Sequence, residues 1–254
     1  MNKTKGKIGQ NFLIDKKVAE RELEYASIEK NDVVLEIGPG NGIITKLLSE
    51  KAQKVIAIEI DEKLVSELKE FLPDNVLLIS GDALKVDFEI LPKFNKIVSN
   101  LPFQISSPIT FKLLDLDFSL AVLIYQKEFA ERMVANPGSK NYSRISVGVY
   151  YRSICEIMET VNRSLFSPQP KIDSCVVRLQ PRTSPPFSVL DEKFFFNLTR
   201  ELFNHRRKKI KNIINKVYKI ESEDTPFQNR RVEEILPEQI GELSDFLFKL
   251  KSRQ

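Results

Sequence analysis

Val33-Val34-Leu35-Glu36-Ile37-Gly38-Pro39-Gly40-Asn41-Gly42 is the stretch from which the fold follows. Five mostly β-branched and aliphatic residues, with one acid among them, read as a strand buried on both faces. Glycines then allow a turn with unusual φ and let a ligand approach the backbone. Ile43, Ile44, Leu47 and Leu48 follow at helical spacing. Strand, glycine turn and helix open a nucleotide-binding α/β unit, whose ligand lies beyond the carboxyl ends of the strands. The dinucleotide fingerprint needs glycine at position 43, where the chain has Ile43. The Gly-x-Gly-x-Gly spacing does not favour a pyrophosphate ligand.

Three further strands end in groups suited to a ligand. Lys54–Glu59 ends in Glu59, a carboxylate able to accept both hydroxyls of a ribose. The plain alternative is an acid at a helix start, a task for which Asp61 and Glu62 are also at hand. Asn75–Ser80 runs into Gly81-Asp82-Ala83, where Asp82 can accept from an adenine amine or simply shape a turn. Lys96–Ser99 runs into Asn100-Leu101-Pro102-Phe103. The Asn100 side-chain oxygen and a backbone carbonyl can take both hydrogens of an exocyclic amine. Pro102 stiffens the loop, and Phe103 offers a face for a base. The bland alternative is a strand turning at a proline with Phe103 in the core.

The whole chain agrees with an α/β enzyme. It has 254 residues, 42% of them hydrophobic, enough for a full core and a small second domain. No apolar run is long enough to span a bilayer. The basic start, Lys3 to Lys7, lacks the apolar run of a secretion signal. Two cysteines, Cys155 and Cys175, give no disulfide framework and fit a reducing cytoplasm. With His205 the only histidine, a Cys/His metal site is not expected. A net charge of +4 permits a polyanionic partner without requiring one.

In this order, Gly38/Gly40, Glu59, Asp82 and Asn100 resemble the class I S-adenosylmethionine-dependent methyltransferases. Asn100-Leu101-Pro102-Phe103 is similar to the motif of methyltransferases acting on exocyclic amines of bases. Together with Gln10-Asn11-Phe12-Leu13, Gly81-Asp82-Ala83 and Phe166-Ser167-Pro168-Gln169-Pro170-Lys171, the chain resembles the small-subunit (16S-type) rRNA adenine N6,N6-dimethyltransferases. Ile105-Ser106-Ser107-Pro108-Ile109 resembles their archaeal and eukaryotic branch more than the bacterial one. The position of Phe103 is usually tyrosine in that family, a departure that stacking tolerates.

The resemblance implies a Rossmann-like seven-stranded mixed sheet followed by a small C-terminal helical domain, cut as 1–181 and 182–254. It implies S-adenosyl-L-methionine at Gln10, Asn11, Leu13, Gly38, Gly40, Glu59, Ile60, Asp82, Ala83 and Asn100. Catalysis falls to Asn100, Leu101, Pro102 and Phe103, with Phe166 as a second stacking face; the alternative for Phe166 is a core anchor. The implied substrate is two adjacent adenosines in the 3'-terminal hairpin of small-subunit rRNA, met in an immature subunit by a monomeric, cytoplasmic, metal-free enzyme.

Helices are expected over Lys16–Tyr25 behind an Asp15 cap, Ser106–Leu114, Gln126–Met133, Tyr142–Arg152, Asp191–Phe203, His205–Tyr218 and Pro237–Lys251. Arg182 to Pro186 reads as a linker. Arg206, Arg207, Lys208, Lys209 and Lys211 crowd the start of one helix, where cations are unfavourable unless phosphates offset them; they are the expected RNA contact, against the plain reading of a solvated face. Two other functions fit the pattern: a large-subunit rRNA adenine dimethyltransferase, and a non-catalytic RNA-binding assembly or transcription factor on the same fold.

Overall fold

The computed structural model describes residues 10–220 and 223–252. The basic stretch Lys3–Lys7 lies outside them. After a short β1 (Phe12–Leu13), the chain alternates helix and strand: α1 (Lys16–Tyr25), β2 (Val33–Ile37), α2 (Ile43–Lys51), β3 (Lys54–Glu59), α3 (Glu62–Lys69) and β4 (Val76–Ser80). Then come β5 (Lys96–Asn100), α4 (Ser106–Leu114), β6 (Leu120–Gln126) and α5 (Lys127–Met133). Asp15 caps α1, its carboxylate accepting from the Val18 N–H at 2.9 Å, as expected.

A 7-stranded sheet has the order β4-β3-β2-β5-β6 and is completed by two later strands, β7 (Ser153–Val161) and β9 (Ser174–Pro181), with β9 between β6 and β7. The pairs β3/β4, β2/β3, β2/β5 and β5/β6 are parallel; β9 runs antiparallel to β6, with Leu123 opposite Val177. Strand order therefore reverses between β2 and β5, and that crevice is where such sheets bind ligands. A separate two-stranded ribbon joins β1 to β8 (Phe166–Ser167), with Leu13 opposite Phe166. Leu13, Val18, Leu23, Val34, Leu48, Val98, Ile124, Phe166 and Val176 share one core.

The chain divides differently from the single cut expected after residue 181. One compact unit comprises the part before Glu131 together with Glu156–Pro181. The other comprises Glu131–Cys155 and the part from Arg182 onward. The reason is the buried face of α6 (Arg144–Arg152). Val147 and Tyr151 pack with Tyr142 among Phe195, Leu198, Ile213, Ile240 and Leu243 of the second unit. These come from α7 (Glu192–Phe203), α8 (Ile210–Tyr218) and α9 (Pro237–Lys251). Tyr151 lies 5.0 Å from Phe187 and 5.1 Å from Phe195, ring centre to ring centre.

The helix expected from His205 begins only at Ile210. Residues 206–210 instead bond to the segment 230–233: Glu233 N–H to the Arg206 carbonyl, Val232 N–H to that of Lys208, and Ile210 N–H to that of Arg230. Tertiary backbone bonds replace the helical ones that the local sequence could have made.

The sheet also buries acids that its ligand edge does not display. Glu22 of α1 is fully buried, and neither of its carboxylate oxygens has a hydrogen-bond partner. Desolvation, with the nearby charge of Glu36, holds its pKa well above the usual carboxylate range. Glu36 of β2 is buried too, and desolvation followed by the charge of Glu59 pushes it up to about 8. The folded chain thus keeps a proton on Glu36 up to about pH 8, whereas the unfolded chain releases it near 4.5. Stability from this group is full below the unfolded value and is lost as pH rises through that window. Glu36→Gln should therefore flatten the fall in melting temperature between those two pH values, as read by thermal unfolding of both proteins across the range.

Candidate active site

The first turn of the site is made possible by what Gly38 and Gly40 lack. Both have positive φ, +71° and +59°. A Cβ on Gly38 would lie 3.2 Å from the Pro102 ring, and one on Gly40 would lie 2.7 Å from the Phe12 ring. The turn after β2 therefore touches both the loop after β5 and the arm that carries β1. A narrow cleft results, lined by Gln10, Asn11, Phe12, Gly38, Gly40 and Asn100–Phe103. Of these Phe12 was not foreseen as a site residue. Its ring explains why Gly40 must be glycine, a relation invisible along the sequence.

Glu59 closes the back of the turn. It is 1% exposed, and its carboxylate accepts three backbone N–H groups: Gly40 at 3.1 Å on Oε2, and Ile60 and Asp61 at 2.9 Å each on Oε1. The helix-start task belongs to Asp61, which caps α3 through the Lys63 N–H. Oε2 has a single partner among these bonds, so it can accept one more donor. Ile60, 47% exposed, presents an apolar side chain beside it. Asp82 shapes its own turn, with Oδ1 accepting from Leu84 N–H at 2.9 Å. Its Oδ2 lies 3.9 Å from the exposed Lys85 ammonium and can take a further donor. Ala83 is buried beside it.

Asn100 carries the most informative atom. Its Nδ2 donates to the Asn11 carbonyl at 3.1 Å, and Asn11 Nδ2 donates to the Pro168 carbonyl at 2.6 Å. These bonds fix which way the amide faces. The Asn100 Oδ1 is left shielded from water with no partner. A buried acceptor without a donor costs roughly 1–3 kcal/mol, and a ligand amine would satisfy it.

The arm thus orients Asn100 through its backbone. Asn11 and Gln10 line the cleft, whereas the Leu13 side chain is in the core and its carbonyl accepts from Asn41 Nδ2 at 3.4 Å. Leu101 is buried, and Phe103 is half-buried at the cleft. Phe166 does not offer a second stacking face. It is 2% exposed, belongs to the core, and meets Phe103 edge-on at 6.4 Å and 63°. The core-anchor alternative applies, because β8 pairs with β1 and turns the ring inward; Phe166 props Phe103.

The basic run belongs to the second unit. Arg206–Lys209 form the loop before α8, and only Lys211 lies in the first turn of the helix. Arg207, Lys208, Lys209 and Lys211 are exposed. Arg206 is committed internally: Nε donates to Glu233 at 3.1 Å, and its two terminal nitrogens to the carbonyls of Lys140 and Ser139. It is a strut, and the expected contact loses that member.

A glycine turn, a buried strand-end carboxylate and an orphaned amide oxygen thus meet at the switch point of a largely parallel α/β sheet, where such folds bind ligands. Residues 1–248 match the family model described as ribosomal RNA adenine dimethylase, and the chain belongs to that family. A protein of Thermococcus onnurineus named "Probable ribosomal RNA small subunit methyltransferase A" is 47% identical, over 94% of this chain and 91% of its own length. One of the same name from Methanosarcina acetivorans is 45% identical over 98% and 95%. Among solved structures, a dimethyladenosine transferase from Plasmodium falciparum is similar with a TM-score of 0.77 and 32% identity, covering 95% of this chain and 98% of that one. The 23S rRNA methyltransferase ErmE is similar at 0.66 and 26%, covering 94% and 100%. The chain is accordingly a class I methyltransferase of ribosomal RNA, and its resemblance to the archaeal small-subunit enzymes is upheld.

Glu59→Ala would leave three backbone donors without their acceptor. The expected cost is on the order of 2–4 kcal/mol of stability, measured by denaturant unfolding without ligand. Glu59→Gln, which keeps an acceptor oxygen, should lose less.

Proposed function

We propose that the enzyme transfers methyl groups from S-adenosyl-L-methionine to N6 of two adjacent adenosines in the 3'-terminal hairpin loop of small-subunit rRNA, within an immature subunit in the cytoplasm. The observation that carries this reading is the orphaned Asn100 Oδ1 beside Pro102 and Phe103. It is an acceptor for an amine hydrogen, next to an aromatic face.

The residues present fit the methyl donor. Glu59 Oε2 suits a ribose hydroxyl, Asp82 Oδ2 the adenine amine, and Gly38 and Gly40 admit the chain's backbone to the amino-acid end, with Gln10, Asn11, Ile60 and Ala83 around them. When bound, S-adenosyl-L-methionine supplies an electrophilic methyl on a sulfonium. The rest is done by the protein. An adenine amine is a poor nucleophile because its lone pair is delocalised into the ring. Bonds to Asn100 Oδ1 and the Leu101 carbonyl draw the nitrogen toward a tetrahedral shape and aim its lone pair. Phe103 holds the base, splayed from its stack, by its face, while Pro102 and the Phe166 edge keep that ring in place. Position does most of the work, and the proton leaves after transfer, when the nitrogen is cationic.

Nucleoside mass spectrometry of small-subunit rRNA, with and without the gene, tests the reading. Loss of N6,N6-dimethyladenosine is expected, and unchanged small-subunit rRNA would overturn it. Phe103→Ala should lower methyl transfer on the order of a hundredfold, because displacing the amine by about an ångström has that effect. Donor affinity and melting temperature should change little, and Phe103→Tyr should restore activity.

Exposed Arg207, Lys208, Lys209 and Lys211 form the phosphate contact in this reading. Changing these four to Glu should weaken subunit binding and reduce its salt dependence, measured by titrations at several salt concentrations. Arg206→Glu should instead lower the melting temperature, since it breaks a strut.

A further inference from the structure

Lys112 belongs to none of the site motifs. It lies in the last turn of α4, half-buried, and its ammonium donates to the carbonyls of Ala83 at 3.0 Å, Leu84 at 3.1 Å and Val86 at 2.5 Å. All three of its protons are used. The same nitrogen lies 4.4 Å from the centre of the Phe88 ring, an arrangement in which the ring face attracts the cation. The three carbonyls belong to the one short loop that starts at Asp82. Two of the loop's own bonds, Lys85 and Val86 N–H to the Asp82 carbonyl, close that turn from the other side. A compact cation at the centre converges carbonyl dipoles that would otherwise repel one another and splay.

At its other end, α4 begins three residues after Phe103, and Ser106 Oγ donates to the Phe103 carbonyl at 3.0 Å. One helix therefore touches the target-base loop with its first turn and the Asp82 loop with its last.

We propose that Lys112 is a positioning residue: by gathering the carbonyls of Ala83, Leu84 and Val86 it holds the Asp82 carboxylate where it reads the amino group of the methyl donor's adenine, and so sets the enzyme's preference for an adenosyl over an inosyl donor. The proposal rests on the reading of Asp82 given above. Lys112 touches neither donor nor target. Its effect passes through the loop, so loss of Lys112 raises the KM for the donor while leaving kcat at saturating donor close to wild type.

The test uses the full chain and two product-like probes, S-adenosyl-L-homocysteine and S-inosyl-L-homocysteine, which differ at the 6-position of the purine. Calorimetry should show the wild type preferring the adenosyl probe by about tenfold or more, as loss of one charge-assisted bond implies. Lys112→Met should weaken the adenosyl probe by roughly tenfold and shrink the preference to about twofold. Lys112→Gln, which keeps an amide donor for part of the carbonyl cluster, should fall between and serves as the second variant should Lys112→Met fold poorly. A wild type with no preference would overturn the reading of Asp82. A preference undiminished from wild type in folded Lys112→Met or Lys112→Gln would overturn the role of Lys112, because a merely structural lysine lowers stability and weakens both probes alike.

Discussion

Gly38 and Pro102 lie so close that a methyl group on the glycine would meet the proline ring at 3.2 Å, and the site depends on that approach. It joins the turn after β2 to the loop after β5 across the point where strand order reverses. A crevice opens there in any doubly wound sheet, but its width is set by the residues on its two lips. Here one lip is a glycine in a left-handed conformation and the other a ring with fixed φ. The proline cannot turn about φ and the bare glycine lets its ring pack close, so the neighbouring groups, Gly40 and Asn100, are held across one narrow cleft.

Electrostatics then divides the acids by depth. Glu59 collects three N–H groups from two turns, which lets a carboxylate stay buried at the ligand edge. Glu36 and Glu22 lack these backbone donors and are driven toward the neutral form by desolvation. The three acids lie on β3, β2 and α1, so that bonded and protonated carboxyls sit side by side. The neutral forms of Glu36 and Glu22 limit the negative charge that accumulates behind Glu59.

The arm acts as part of the site as well as of the core. Asn11 turns the Asn100 amide through a backbone carbonyl and is itself tied to the Pro168 carbonyl. The β1–β8 ribbon that makes this possible also draws Phe166 into the core. One pairing therefore has two results: it fixes the orientation of the Asn100 amide, and it turns the Phe166 ring inward as the support for the Phe103 ring beside it.

The order of strands and helices, the glycine turn, Glu59 and the Asn100 loop were legible in the sequence because each rests on local rules: period, φ at glycine, and the residue that ends a strand. The Asp15 cap and the bounds of α4 and α9 were legible for the same reason. Burial of Phe166, the inward commitment of Arg206 and the late start of α8 were not. Each is decided by a partner distant along the chain: Leu13 for Phe166, Glu233 for Arg206, and the backbone from Arg230 to Glu233 for the loop before Ile210. The same holds for the grouping of α6 with α7, α8 and α9, since an apolar helix face shows that it must be buried but not against what. Local chemistry determined which residues could serve a methyltransferase. Long-range contacts decided which of them face the cleft, because only the folded chain shows which donors and acceptors already have partners.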